Sequence, residues 1–180
     1  MSVAGTDVKL IFKMKKISII IVTLLFSVTM QAQKVKAPKI DVSKDNKILV
    51  DGTEIATIEK DGCGFSATCT YYVRNSEGKT LITVMFLSFK DSREIKQSNP
   101  DGKVFYYRLS FADERGVAEV AYTTPSSKSV AKIIVKAKLI KDNELDDYEV
   151  RQFIQVHGTR YSDRQAGLNN RQQTIIINIR

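Results

Sequence analysis

The chain is poor in the residues on which many catalytic and metal sites depend. Its 180 residues include one histidine, two cysteines and no tryptophan. A His-based nucleophile relay would have to form around His157, and a histidine near the end of a helix is also expected for structural reasons, because helix carbonyls favour a cation. One His and two Cys cannot complete an ordinary four-ligand zinc site without carboxylates. The composition therefore predicts no metal and favours binding or structure over catalysis.

Other familiar sites are missing from the sequence as well. It has no glycine-rich phosphate loop of the P-loop or dinucleotide type, and no tryptophan on which a sugar ring could stack. The acidic run that starts at Asp142 fails as an EF-hand loop, because its sixth position is Asp147 instead of Gly and its twelfth is Phe153 instead of Glu. The run is better explained as a helix N-terminus, where carboxylates meet free N–H groups. We expect no cofactor.

The N-terminal region has the three parts of a cleavable secretory signal. Lys15 and Lys16 follow Met14, residues 17–28 are almost entirely apolar, and Ala32 precedes a polar, basic stretch. An apolar run of this length suits a signal peptide, whereas a membrane-spanning helix needs about 20 residues. We therefore predict a signal peptide over residues 14–32, export to the periplasm or the exterior, and no membrane span after cleavage.

The domain boundaries follow from this signal. Residues 1–13 lie upstream of it and are expected to reflect a start codon placed too early, residues 33–160 form one domain, and residues 161–180 form a polar tail. The alternative is a retained N-terminal anchor.

The whole chain has a formal charge of +8. Removing four lysines and one aspartate with residues 1–32 lowers that charge by three, to +5, and acidic residues are interspersed with the remaining lysines.

The two cysteines, Cys63 and Cys69, would reach an oxidising compartment, so a disulfide must be considered. A fully extended segment would place their Cα atoms roughly 20 Å apart, which is too far for a bridge. The chain must therefore reverse between them, and Gly62 and Gly64 could provide that reversal. The alternative is two buried small apolar residues.

Strand patterns fill the first two thirds of the mature chain. Asp51-Gly52 between residues 47–50 and 53–58 indicates a hairpin. Further strands are predicted at residues 67–74, 81–89, 104–111 and 117–122. Residues 81–89 are apolar on both alternating faces, as in a central strand. This pattern predicts an antiparallel sheet of about six strands.

The apolar period then changes from two to near 3.6, which predicts two helices. The first begins after Pro125 and extends as far as Leu139 or Ile140. The second begins at Asp146, whose carboxylate can cap it, and ends at Gly158. The fold class is thus α+β, with two C-terminal helices and a final strand within residues 174–179.

The chain carries a series of turn and core motifs in a fixed order: residues 48–52, the turn at residues 74–79, Ala131 to Ile134, Leu145 and residues 150–153. In these motifs and their order it resembles small exported proteins of Bacteroidetes that have no assigned function. The resemblance implies an exported location and no functional residues.

The contact function is expected in the C-terminal segment. Arg160, Arg164 and Arg171 form a candidate contact surface, and Ile175, Ile177 and Ile179 would form a strand that joins the sheet or pairs with a partner. The partner would be an envelope protein, a glycan or a lipid head group, with self-association through that strand as another outcome. DNA is excluded, because acidic residues open the second helix. The alternatives are a hydrolase with a carboxylate or serine site, and a polyanion or membrane-surface binder.

Overall fold

The computed structural model describes residues 37–63, 68–122 and 124–177, and it confirms the α+β fold. Seven antiparallel strands lie in chain order across one sheet, so every connection within it is a hairpin. The strands are β1 (Ile40–Val42), β2 (Lys47–Val50), β3 (Thr53–Asp61), β4 (Cys69–Arg74), β5 (Thr80–Lys90), β6 (Lys103–Phe111) and β7 (Gly116–Ala121). The six strands β2 to β7 follow the sequence prediction, and β1 is additional.

The predicted hairpin between β2 and β3 is present, and its turn has the expected backbone. Asp51 and Gly52 have φ values of 51° and 88°. Both lie in the left-handed region that Asp-Gly turns accept. Val50 pairs with Thr53 directly across this turn, so the two central residues alone reverse the chain.

One face of the sheet carries the hydrophobic core. Directly paired residues of an antiparallel sheet project to the same face, so the register places the two faces. The core face carries Ile58, Tyr71, Val73, Ile82, Val84, Tyr107, Leu109 and Ala118, all buried. Phe89, Tyr106 and Glu119 belong to the opposite face by the same register.

Two helices cover the core face. Helix α1 (Ser127–Lys136) begins where the Ser126 hydroxyl accepts the N–H of Ser129. Helix α2 (Asp147–His157) begins at Asp146, whose Oδ1 accepts the N–H groups of Tyr148 and Glu149 at 3.1 Å, and it ends at Gly158, which has a φ of 51°. The predicted cap and stop of this second helix are therefore confirmed.

The first helix is shorter than predicted, because a small hairpin follows it. Strands β8 (Ile140–Lys141) and β9 (Glu144–Leu145) pair through a turn in which Asp142 and Asn143 have φ values of 49° and 68°. Ile140 is thus in a strand and not in α1. Asn143 also accepts the N–H of Ser76 at 2.8 Å, so this hairpin is tied to the turn before β5.

A third helix, α3 (Arg160–Ile177), replaces the predicted polar tail. The expected final strand is wrong through Ile177, since residues 174–177 continue this helix; Ile179 lies outside the described residues. The start of α3 is part-buried at Tyr161 and Arg164. This helix has polar partners on the sheet, which the sequence pattern of residues 161–180 does not reveal.

Cys63 and Cys69 are joined in a disulfide, with their Cα atoms 4.4 Å apart. Cys69 begins β4 and is buried, and Cys63 follows the end of β3. The bridge therefore closes the β3–β4 hairpin. Gly62, beside the bridge, has a φ of 67°, which fits the predicted reversal.

Within the described ranges, no helix has both the length and the apolar character required to cross a bilayer.

Candidate functional site

A cleft of about 430 Å³ opens where the sheet face opposite the core meets the start of α3. We call it the α3 cleft. Its lining comprises Glu94, Lys96, Ser98, Asn99, Lys103, Val104, Phe105, Ala121, Tyr161 and Arg164. Its wall is thus formed by the β5–β6 connection, the start of β6 and the first turns of α3. Three of the ten side chains are cationic and one is anionic.

The cleft exists because β6 extends past the end of β7. Strand β6 pairs with β5 from Lys103 onward, but with β7 only from Tyr106 onward. The last β6–β7 pair joins Tyr106 to Ala121, so Lys103 extends beyond the neighbouring strand. The side chain of Asn99 takes the place of that strand: its Oδ1 accepts the Lys103 N–H at 3.1 Å, and its Nδ2 donates to the Lys103 carbonyl at 3.0 Å. A polar side chain therefore satisfies the exposed strand end and holds the cleft wall.

The connection that carries this wall is anchored by Asp91, directly after β5. Its side chain is fully buried, and its carboxylate accepts the Arg93 guanidinium through Nη2 at 2.7 Å and through Nε at 3.0 Å. The hydrogen bonds from Arg93 lower the pKa of Asp91 far below its usual range, although burial acts in the opposite direction. Asp91 is therefore a fixed negative charge.

Gly102 closes the same connection against Asp91. The Asp91 N–H donates to the Gly102 carbonyl at 2.8 Å, and Gly102 has a φ of +60°. A Cβ atom here would lie 2.5 Å from the Asp91 carbonyl oxygen, closer than real Cβ contacts allow. Glycine is thus required by both backbone conformation and space.

Arg164 of α3 reaches back to the same carboxylate. Its Nε donates to Asp91 Oδ2 at 2.7 Å, and its Nη2 donates to Glu94 Oε1 at 2.8 Å. These contacts raise the pKa of Arg164, chiefly through Glu94. Arg93, Arg164, Asp91 and Glu94 consequently form a charge-balanced group between the β5–β6 connection and α3.

The N-terminus of α3 is held by Glu119 of β7. The fully buried carboxylate accepts the N–H groups of Tyr161 and Ser162 at 2.8 and 3.0 Å, and the Ser162 hydroxyl also contacts it. These are N–H groups that a helix leaves free in its first turn. The Tyr161 ring stacks on Tyr106 at 5.0 Å. The sheet therefore caps the helix that forms one wall of the cleft.

Two lysines of the cleft lie outside the charge-balanced group. Lys96 makes no ion pair in residues 37–63, 68–122 and 124–177. Lys103 approaches only Asp101, at 3.7 Å and with both side chains largely exposed. Exposed ion pairs of this kind contribute little to stability. The cleft therefore presents excess positive charge next to the hydroxyl-bearing side chains of Ser98 and Tyr161.

The structure separates the predicted contact residues. Arg160 is exposed at the start of α3, with its guanidinium 5.2 Å from the Tyr161 ring centroid. Arg164, one turn later, is engaged by Asp91 and Glu94 instead of being free for a polyanion. Arg171, Ile175 and Ile177 belong to α3, and Ile179 lies outside the described residues. Of the two arginines whose side chains the structure describes, Arg160 and Arg164, only Arg164 lines the α3 cleft.

His157 ends α2 and packs against Phe153, with the ring centroids 4.3 Å apart. Burial, together with the charge of Arg160, lowers the pKa of its imidazole. No described serine, cysteine or carboxylate makes a hydrogen bond to it. In the described part of the chain, no group of three or more His, Cys, Asp and Glu residues is placed to hold a metal ion.

The sequence interpretation missed Asp91, Glu94, Lys96 and Lys103. Asn99 and Gly102, which shape the cleft, belong to an Asn-Pro-Asp-Gly run whose composition is typical of a turn. One further signal was present: Asp91 and Arg93 lie within three residues of the end of the apolar strand β5. The partner of Asp91 on α3, Arg164, lies 73 positions away, and nothing local indicates it.

Comparison with known proteins adds no further information: no protein-family model matches the chain, and no curated protein or solved structure is significantly similar to it.

Proposed function

We propose that the mature protein is an exported, non-enzymatic domain that binds a ligand of the cell envelope in the α3 cleft. The observation that carries this proposal is the cleft itself, a 430 Å³ concavity with excess positive charge. Concave sites with a few convergent polar groups are the usual form of ligand sites. The signal-like residues 14–32 and the resemblance to exported Bacteroidetes proteins support the location.

The chemistry of the lining favours binding over catalysis. It contains no imidazole and no thiol. The Asn99 amide is committed to the backbone of Lys103, and the Glu94 carboxylate is paired with Arg164 in the free protein. Remaining capacity is found at Lys96, at Lys103 and at the hydroxyls of Ser98 and Tyr161. Ammonium and hydroxyl groups of this kind recognise polar, negatively charged ligands.

Binding can be tested with three defined anionic materials: peptidoglycan sacculi, phosphatidylglycerol vesicles and, as a model of an acidic glycan, soluble polygalacturonate. We expect at least one to bind, and a Lys96→Gln/Lys103→Gln variant to bind it more weakly. The matched control is Lys132→Gln/Lys136→Gln on α1, which removes the same charge from exposed positions far along the chain. Equal losses in both variants, or no binding to any material, would contradict the proposal.

Export is tested separately by mass spectrometry of the protein recovered from its native host. We expect a mature N-terminus at Gln33, because Ala32 offers the small residue that signal peptidase requires. Intact protein in the cytoplasm that retains Met1 or Met14 would rule export out.

A further inference from the structure

We infer that the α3 cleft receives a carboxylate of its ligand at the outer edge of the Arg164 guanidinium, and that Glu94 occupies this position in the free protein. This rests on the binding role proposed above and names the ligand class. The ligand expected is a small hydroxylated acid such as a hexuronate, in which one carboxylate accompanies several hydroxyl groups.

The two edges of Arg164 have different partners. Nε and Nη2 both approach Asp91 Oδ2, at 2.7 and 2.5 Å, so one edge faces the buried carboxylate. The other edge, formed by Nη1 and Nη2, faces away from Asp91 because the guanidinium is planar. Glu94 Oε1 meets that outer edge at Nη2. The hydrogen bonds of Arg164 with described residues all use Nε and Nη2, so Nη1 has capacity for a second acceptor.

Asp91 and Glu94 differ in how firmly they hold Arg164. The Asp91 side chain is fully buried and has two guanidinium partners. The Glu94 side chain is 38% exposed, and Arg164 is its one ion-pair partner in the described residues. Glu94 also ends a single turn of 3-10 helix, Ser92–Glu94. A partly exposed ion pair of this type contributes little to stability. An incoming carboxylate can therefore replace Glu94 while Asp91 keeps Arg164 in place.

The surroundings of the outer edge favour such an exchange. When Glu94 turns to solvent, Arg164, Lys96 and Lys103 remain around the cleft and a ligand carboxylate restores the lost pairing. Arginine binds carboxylates through two parallel N–H bonds, and Nη1 with Nη2 provides that geometry. The hydroxyls of Ser98 and Tyr161, for which the structure shows no hydrogen bond to another described residue, can meet ligand hydroxyl groups.

The test is an amide NMR titration of the protein with glucuronate, glucose and inorganic phosphate. Glucuronate should shift the amide signals of Ser98, Asn99 and Lys103, and glucose should shift them far less. Glu94→Gln removes the competing carboxylate and should lower the Kd for glucuronate by about two- to fivefold, the effect of losing one partly exposed ion pair. Glu77→Gln, an exposed position in the β4–β5 turn, changes the net charge equally and should leave the Kd unchanged.

Three results would overturn the inference. An unchanged or raised Kd for glucuronate in Glu94→Gln would show that Glu94 does not compete. A gain for phosphate without a gain for glucuronate would replace the carboxylate with another oxyanion. Equal gains in Glu94→Gln and Glu77→Gln would reduce the effect to overall charge. If envelope materials still bind through Lys96 and Lys103 in any of these cases, the proposed function stands without this ligand class.

Discussion

The carboxylate of Glu119 accepts the backbone N–H of Ser162 at 3.0 Å across 43 positions of sequence. Helix N-termini are normally capped by the residue that precedes them. Here a residue of β7 performs that role, with the partial positive charge of the helix terminus facing a buried negative charge. The attachment of α3 to the sheet thus depends on one carboxylate at its first turn and on Asp91 one turn later.

Replacing Glu119 should loosen α3 without disturbing the core face. Glu119→Gln keeps the shape but loses the charge and places an amide N–H against helix N–H groups. We expect the free energy of unfolding to fall by about 2 kcal/mol and amide hydrogen exchange to accelerate in residues 160–170. Glu114→Gln, exposed in the β6–β7 turn, is the control. If exchange in α3 stays as slow as in the control, Glu119 is not its anchor.

The low pKa of Asp91 predicts a stability loss in acid. The folded protein binds this proton more weakly than the unfolded chain, whose aspartate has a pKa of 3.8. The contribution is therefore fully present above that value and is lost as the pH falls below it. Urea midpoints measured from neutral to acidic pH should fall more steeply for the wild type than for Asp91→Asn. Parallel curves would mean that another group controls acid stability.

Gly102→Ala should be strongly destabilising, because it combines backbone strain with a steric clash. The strain of a positive φ costs roughly 1–2 kcal/mol, and the approach of Cβ to the Asp91 carbonyl adds to it. Gly78→Ala separates the two effects: Gly78 has a φ of +83° and open space around its Cβ position. We expect denaturant midpoints to fall further for Gly102→Ala. Equal midpoints would show that the β5–β6 connection accommodates the added methyl group without a further loss of stability.

The disulfide should stabilise the domain through its short loop. Cys63→Ser/Cys69→Ser is expected to lower the free energy of unfolding by about 2 kcal/mol in the chain-entropy model. Treating the wild type with a reductant should reproduce that loss in urea unfolding, and the double variant should not respond to the reductant. A wild-type midpoint that is indifferent to reduction would be incompatible with this role.

The sequence predicted the strands that follow a long alternating pattern and the helix with a side-chain cap. Strand β1 escaped detection because three residues are too few to establish a period. Ile140 was assigned to α1 because it continues a 3.6-residue apolar stripe, but Lys138 has a φ of 52° and interrupts the helix first. Local pattern succeeds where an element is long enough to show its own periodicity.

The sequence prediction failed at α3 for a different reason. Four isoleucines near its end favour a strand, and its Arg, Asn and Gln residues offer little apolar surface to bury. Arg and Gln are nevertheless good helix formers, and this was the signal that could have indicated the helix. Its partners are distant in sequence, Glu119 on β7 and Asp91 directly after β5, so charge complementarity across the fold stabilises an element that hydrophobic periodicity cannot identify. The cleft was missed with it.

The brevity of β1 has a consequence for the behaviour of the protein in concentrated solution. An outermost strand offers unpaired backbone groups to neighbouring molecules, and long flat edges promote aggregation. The described part of β1 spans three residues, and the middle one, Asp41, is charged and paired with Lys128 at 3.2 Å. A second molecule adding a strand there would form few hydrogen bonds and would have to crowd that carboxylate. In the described part of the chain, this margin of the sheet is therefore a poor site for the addition of a strand from another molecule.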